Sequence, residues 1–237
     1  VGPGRIRAGA VARAVREEGA GYVVDAGADG AFAADAVVLA TPAFVAADLL
    51  EGLAPAAAAG LRRIPYVSTG VLALLYPEGT GERLPRASGF VVPRGRAAIL
   101  ACTFVSRKWP SEAFGDRAVL RCFLGGAGAE DLLEVEDAEI VEGVCRQLAA
   151  VLDLPPAPEA WALVRWPRAM PQYEVGHGEL VRGVVAALPP GIFVVGPAYR
   201  GAGVADVVRA AGDAAAGAVA RLRGGVPERT EGTWTTS

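Results

Sequence analysis

One histidine, three cysteines and one methionine are spread over 237 residues, and each scarcity removes a class of chemistry. His177 alone cannot build an imidazole-rich metal site, and Cys102, Cys122 and Cys145 lack the close pairing of zinc or dithiol motifs, so no metal is expected. An odd, unpaired cysteine set fits a reducing compartment, which predicts a cytoplasmic location. No run reaches the roughly 18 uninterrupted apolar residues of a spanning helix, and no signal-peptide pattern is visible. The net charge of -3, with both signs interspersed, leaves no basic surface for nucleic acid. No G-x-S-x-G elbow surrounds Ser68, Ser88, Ser106 or Ser111, so a serine-hydrolase triad is excluded and no catalytic side chain is assigned.

What is abundant is apolar residues, at 52% of the chain, enough to bury one large core or two smaller ones. Short strands are expected over residues 11–16, 22–25 and 36–40, with a turn at 27–30. The stretch DAVVLATPA, residues 35–43, is continuously apolar, as in a strand buried on both faces. Helices follow over 44–50 and 55–62, then four β-like runs at 66–76, 89–92, 98–106 and 118–124. A helix over 134–152, a strand over 161–166, a helix over 178–188 and a strand over 192–195 complete the pattern. The polar tail, residues 223–237, is expected to be disordered. Strands near both ends could share one sheet, with the middle inserted between them. The start, VGPGRIRAG, lacks a methionine and reads as the interior of a longer polypeptide.

The densest signal lies in residues 190–220, PGIFVVGPAYRGAGVADVVRAAGDAAAGAVA. A short strand enters a glycine-rich turn that opens into a helix with Val204, Val207, Val208, Ala211, Ala215, Val219 and Leu222 on one stripe. Gly201 and Gly203 allow close backbone approach, and the helix N-terminus favours an anion. The third glycine of G-x-G-x-x-G is absent. Spacing alone therefore leaves two readings open: a phosphate cradle, or a tight connection whose glycines only permit packing.

Three other stretches carry candidate chemistry. Gly125-Gly126-Ala127-Gly128 precedes acidic residues and reads as a loop. TFVSRKWP places Arg107, Lys108 and Trp109 at a strand end, either as a solvated basic turn or as a contact for a carboxylate. RWPRAMPQYEVGH, residues 165–177, gathers arginines, prolines and aromatics in an irregular stretch that could wall a flat ligand, while His177 reads as a structural hydrogen-bonding residue.

In order and separation, DAVVLATPA, TFVSRKWP, RWPRAMPQYEVGH and GPAYRGAGVADVVRAAGDAA resemble the C-terminal half of the protoporphyrinogen and coproporphyrinogen oxidases, within the FAD-dependent amine oxidase superfamily. The resemblance covers residues 1 to about 222. It implies a mixed α/β fold, in which residues 1–43 and 186–222 form part of a Rossmann-like FAD-binding domain and residues 44–185 an inserted mixed-sheet substrate domain. It implies FAD as cofactor, with Val11, Ala202, Gly203 and Val204 as backbone contacts. Arg107, Lys108, Arg168 and Tyr173 are the implied contacts of a porphyrinogen. The implied reaction is oxidation of the porphyrinogen with oxygen as acceptor, in haem biosynthesis. The G-x-G-x-x-G unit belongs to the family's N-terminal half, so this stretch alone is expected to be inactive. Peripheral membrane association and a homodimer are compatible with the resemblance. Another flavin amine oxidase, a carotenoid desaturase or a non-catalytic remnant are the alternatives. Gly178 stands where some relatives carry a tryptophan near the flavin, and Val207 where a cysteine is frequent.

Overall fold

The computed structural model describes residues 5–93 and 95–224. The chain opens with β1 (Ala14–Glu18), β2 (Gly21–Asp25), β3 (Ala31–Ala34) and β4 (Val37–Leu39), followed by α1 (Ala43–Leu50) and α2 (Pro55–Arg62). The middle holds β5 (Tyr66–Glu78), β6 (Gly89–Val91), β7 (Ile99–Phe104), α3 (Val105–Lys108), β8 (Arg117–Gly125), α4 (Asp137–Ala149) and β9 (Ala160–Pro171). The last elements are α5 (His177–Ala187), β10 (Ile192–Val194) and α6 (Val204–Leu222). The mixed α/β class expected from the sequence is what the chain adopts. Its contacts divide it into two compact units, Tyr66–Met170 and the two flanking segments that meet at Pro65 and Pro171. The resemblance drew the middle segment as 44–185; α1, α2 and α5 group with the flanking segments.

In the flanking unit, β1, β2 and β3 form an antiparallel meander, and β4 pairs in parallel with β10 through Ile192↔Val37 and Val194↔Leu39. Strands from the two ends of the chain thus share a sheet, as the pattern suggested. β3 was not expected, because AFAA is short and small and hides beside the turn at Gly30. DAVVLATPA is not buried on both faces: Val37 and Leu39 are buried but Val38 is 45% exposed, because only one face of the β4–β10 pair is covered by described residues. Pro42 precedes α1 and Pro55 opens α2, where a missing N–H costs nothing. Gly60 lets α2 approach α5, since a Cβ there would lie 2.6 Å from Val184 Cγ2.

The Tyr66–Met170 unit is a five-stranded sheet in the order β6-β7-β8-β5-β9. β8 alternates strictly, burying Ala118, Leu120, Cys122 and Leu124 against Leu72, Leu74 and Tyr76 of β5 and Ile140, Val144 and Leu148 of α4. Cys102 and Cys122 are register partners inside this core, and the Tyr76 hydroxyl meets Cys145 Sγ at 3.8 Å. Its hydrogen bond with Cys102, then burial, pushes the Cys122 thiol pKa up. Arg165 clasps the start of α4, donating through Nε to the Leu133 carbonyl at 2.6 Å, to the Val135 carbonyl at 2.8 Å and to Asp137 at 2.5 Å.

Three further expectations change. Residues 165–171 are not irregular: β9 runs through Pro167 to Pro171, which is tolerated because β9 is an edge strand whose outer N–H groups have no ladder partner among the described residues. The strand before Arg107 ends at Phe104 and gives way to the single helical turn α3. The apolar stripe of α6 is not packed within the described residues: only Ala214 is buried, while Val204 and Val208 are 82% and 66% exposed. Of the tail 223–237, Arg223 and Gly224 close α6, and residues 225–237 lie outside the described residues.

Candidate functional site

β10 delivers the chain into a turn that ends at Gly203, the N-cap of the 19-residue helix α6. The Tyr173 hydroxyl holds this turn, donating to the Pro197 carbonyl at 2.7 Å and accepting from the Gly201 amide at 2.8 Å. Gly201 has φ of 125°, which favours glycine, and a Cβ there would lie 2.5 Å from the Asp206 carboxylate. The amides of Ala202, Gly203 and Val204 have no hydrogen-bond partner among the described residues, and all three residues are exposed. Unfilled donors at the positive end of a helix make this turn fit an anionic group such as a phosphate. The Asp206 charge in the first turn is paired by Arg209 at 2.9 Å. Val11 sits in the loop before β1, 65% exposed.

Beneath the turn, the Tyr173 ring stacks on His177, with centroids 4.0 Å apart and planes 14° from parallel. His177 is 6% exposed and its Nε2 has no hydrogen-bond partner among the described residues. Burial, opposed in part by a backbone hydrogen bond at Ala198, holds its pKa below the ordinary histidine value. The imidazole is thus buried, with one ring face covered by Tyr173. Tyr173, expected at the substrate, places its hydroxyl on the glycine turn. Sequence reading missed this link because Tyr173 and Gly201 are 28 residues apart. A groove of about 570 Å³ also runs between α5, β10 and α6, lined by Val181, Leu188, Phe193, Ala210, Ala214 and Gly217.

The Tyr66–Met170 unit holds the other expected residues. Arg107 turns inward along its own unit, donating to the carbonyls of Glu82 at 3.2 Å and Leu84 at 3.1 Å. Lys108 places Nζ 4.6 Å from the centre of the Trp109 ring. Arg168 is exposed on β9 with φ of 46°, uncommon for a residue with a Cβ, and its amide donates to Ser68 Oγ at 3.2 Å. Arg107, Lys108 and Arg168 thus have different near neighbours within the unit. The structure adds Arg121, which the sequence reading passed over. Its guanidinium lies 5.6 Å from the Trp109 centroid and 5.2 Å from that of Phe123. The signal was a charge in the middle of the alternating strand RAVLRCFLG, on the face opposite Leu120 and Cys122. Among the described residues no group of three or more His, Cys, Asp or Glu is placed to hold a metal, and no helix is long and apolar enough to cross a membrane.

With this geometry in place, comparison with known proteins is informative. The family model of flavin containing amine oxidoreductases matches residues 1–219. The chain is 37% identical over 203 residues to a coproporphyrinogen III oxidase of Mycobacterium bovis, covering 85% of this chain and 44% of that protein. It is 33% identical over 179 residues to the coproporphyrinogen III oxidase of Bacillus subtilis, covering 74% and 38%. A crystal structure assigned to protoporphyrinogen oxidase from Exiguobacterium superposes with a TM-score of 0.75 at 26% identity, covering 90% of this chain and 46% of that one. Putrescine oxidase shares the fold, with a TM-score of 0.68 at 17% identity over 90% and 48% of the two chains. The chain spans less than half the length of these relatives. A mixed α/β chain with an anion-ready helix tip, matched by the family model over nearly its whole length, belongs to the flavin-containing amine oxidoreductase family.

Proposed function

We propose that the protein carrying this chain is an FAD-dependent porphyrinogen oxidase. It converts coproporphyrinogen III, or protoporphyrinogen IX, to the corresponding porphyrin with oxygen as electron acceptor, in haem biosynthesis. The observation that carries this reading is the glycine turn at Gly201–Val204, whose unfilled amides suit a dinucleotide diphosphate, in a chain whose curated relatives are named porphyrinogen oxidases. Bound there, the flavin would supply the hydride-accepting chemistry, so no side chain of this chain needs to act as nucleophile. The chain's own contribution is to bind and orient. Ala202, Gly203 and Val204 present backbone donors, Val11 is the remaining backbone contact, and Tyr173 fixes the turn.

The experiment is a visible absorbance spectrum of the full-length protein, followed by aerobic incubation with each porphyrinogen while porphyrin fluorescence and peroxide are recorded. Bound flavin with porphyrin formation is the expected result. A flavoprotein that oxidises an amine and neither porphyrinogen would overturn the reading.

A further inference from the structure

The five-stranded sheet has two unlike faces. One packs against α4; the other carries Val71, Ala73 and Leu75 of β5, Ala101 and Thr103 of β7, and Val119, Arg121 and Phe123 of β8, none of them fully buried. Arg121 stands on β8, the central strand, and its register partners are Ala73 on one side and Thr103 on the other. Both are small, so neither covers the guanidinium.

Arg121 also lacks what Arg117 and Arg165 of this unit have. Arg117 pairs with Glu78 and Glu159, and Arg165 with Asp137. Arg121 makes no ion pair or hydrogen bond among the described residues; its Nε is shielded from solvent without a partner, and only the rings of Trp109 and Phe123 flank it. Ring contact offsets only part of the cost of withdrawing a guanidinium from water. Lys108 brings a second cation to the same Trp109 ring, and no ion pair of it is found among the described residues. Two positive charges sharing one indole, on a largely apolar face, complement an apolar macrocycle that carries carboxylates.

We propose that Arg121 binds a carboxylate of a polycarboxylate macrocyclic substrate, with Trp109 and Phe123 as walls and Lys108 as a second, outer cation. The substrate class rests on the porphyrinogen reading given above. The guanidinium's two terminal nitrogens are the ends that meet the carboxylate, a fork geometry that lysine does not reproduce.

Two measurements on the holoenzyme keep the possible failures apart. Fluorescence titration with coproporphyrin III, a stable tetracarboxylate, needs no turnover; Arg121→Gln weakens binding roughly tenfold to a hundredfold, Arg121→Lys less, and Lys108→Gln roughly threefold. In steady state, Arg121→Gln raises KM for coproporphyrinogen III by a similar factor with kcat within about twofold, while flavin absorbance and melting temperature stay at the wild-type values. If the wild type oxidises the porphyrinogen and Arg121→Gln leaves both KM and binding unchanged, the assignment of Arg121 is overturned and the function stands. If coproporphyrin binds through Arg121 but neither porphyrinogen is oxidised, the function fails and the carboxylate site stands. Absence of binding by the wild type overturns the site. Where the Gln variant does not fold, Arg121→Lys and Lys108→Gln decide instead, and unchanged affinity in both overturns the proposal.

Discussion

Helices α4 and α6 both display a clear apolar stripe, yet they end up in opposite situations. α4 buries Ile140, Val141, Val144, Cys145 and Leu148 against its sheet, whereas the longer α6 buries Ala214 alone and leaves Val208 and Leu222 at 66% and 60% exposure. Periodicity predicts that a helix forms and which face is apolar. It says nothing about where the cover comes from. For α4 the cover is β8 and β5, contiguous in the same unit; for α6 no described element supplies it.

The contrast can be broken at its strongest point. Leu148→Ala, at a fully buried position of α4, is expected to cost about 2–5 kcal/mol in urea unfolding of the chain. A loss below about 1 kcal/mol would mean that the α4 stripe is no better packed than that of α6. Arg165→Ala comes next, at about 1.5–3 kcal/mol, since it strips three hydrogen bonds from the segment that starts α4. Arg165→Lys, lacking the fork, should recover little of it, and full recovery by lysine would show that charge alone matters there.

In the flanking unit the expected effects are smaller. Tyr173→Phe removes the hydroxyl that joins Pro197 to Gly201 and should destabilise by about 0.5–1.5 kcal/mol. In the full-length protein it should also weaken flavin retention during gel filtration. A variant that keeps both stability and flavin would detach Tyr173 from the turn. His177 supplies a pH signature. Its folded pKa lies below its unfolded value of about 6.5, so the unfolded chain binds more protons in that window and stability falls as pH drops through it. The melting temperature should decline from about pH 7.5 to 5.5, and His177→Gln should flatten the decline; an equal decline in the variant assigns the slope to other groups. Smallest of all, Val208→Ala on α6 should change the stability of the chain by less than about 0.5 kcal/mol. A cost comparable to Leu148→Ala would erase the difference between the two helices.

Much of the fold was legible because local signals and tertiary structure agree. Pro42, Pro55 and Gly203 mark helix starts, and the alternation of β8 names its buried residues. The four-residue β3 and the extension of β9 through two prolines were hidden, one by small residues and the other because only its edge position makes proline tolerable. At the candidate site, Ala202–Val204 could be found from glycine spacing and a helical stripe. The tie from Tyr173 and the ring contacts of Arg121 are made by residues far apart in the chain. An arginine midway along a largely apolar strand was the local trace of the second.

The pairing of β4 with β10 links residues 37–39 to 192–194, while the Tyr66–Met170 unit is contiguous. On a ribosome, that contiguous stretch has every partner it needs before β10 has been made. Closure of the flanking sheet must wait for the last quarter of the chain, and long-range parallel pairing is slow in any case. Protease resistance in nascent chains of increasing length should therefore appear in residues 66–170 before it appears in the β4–β10 pair.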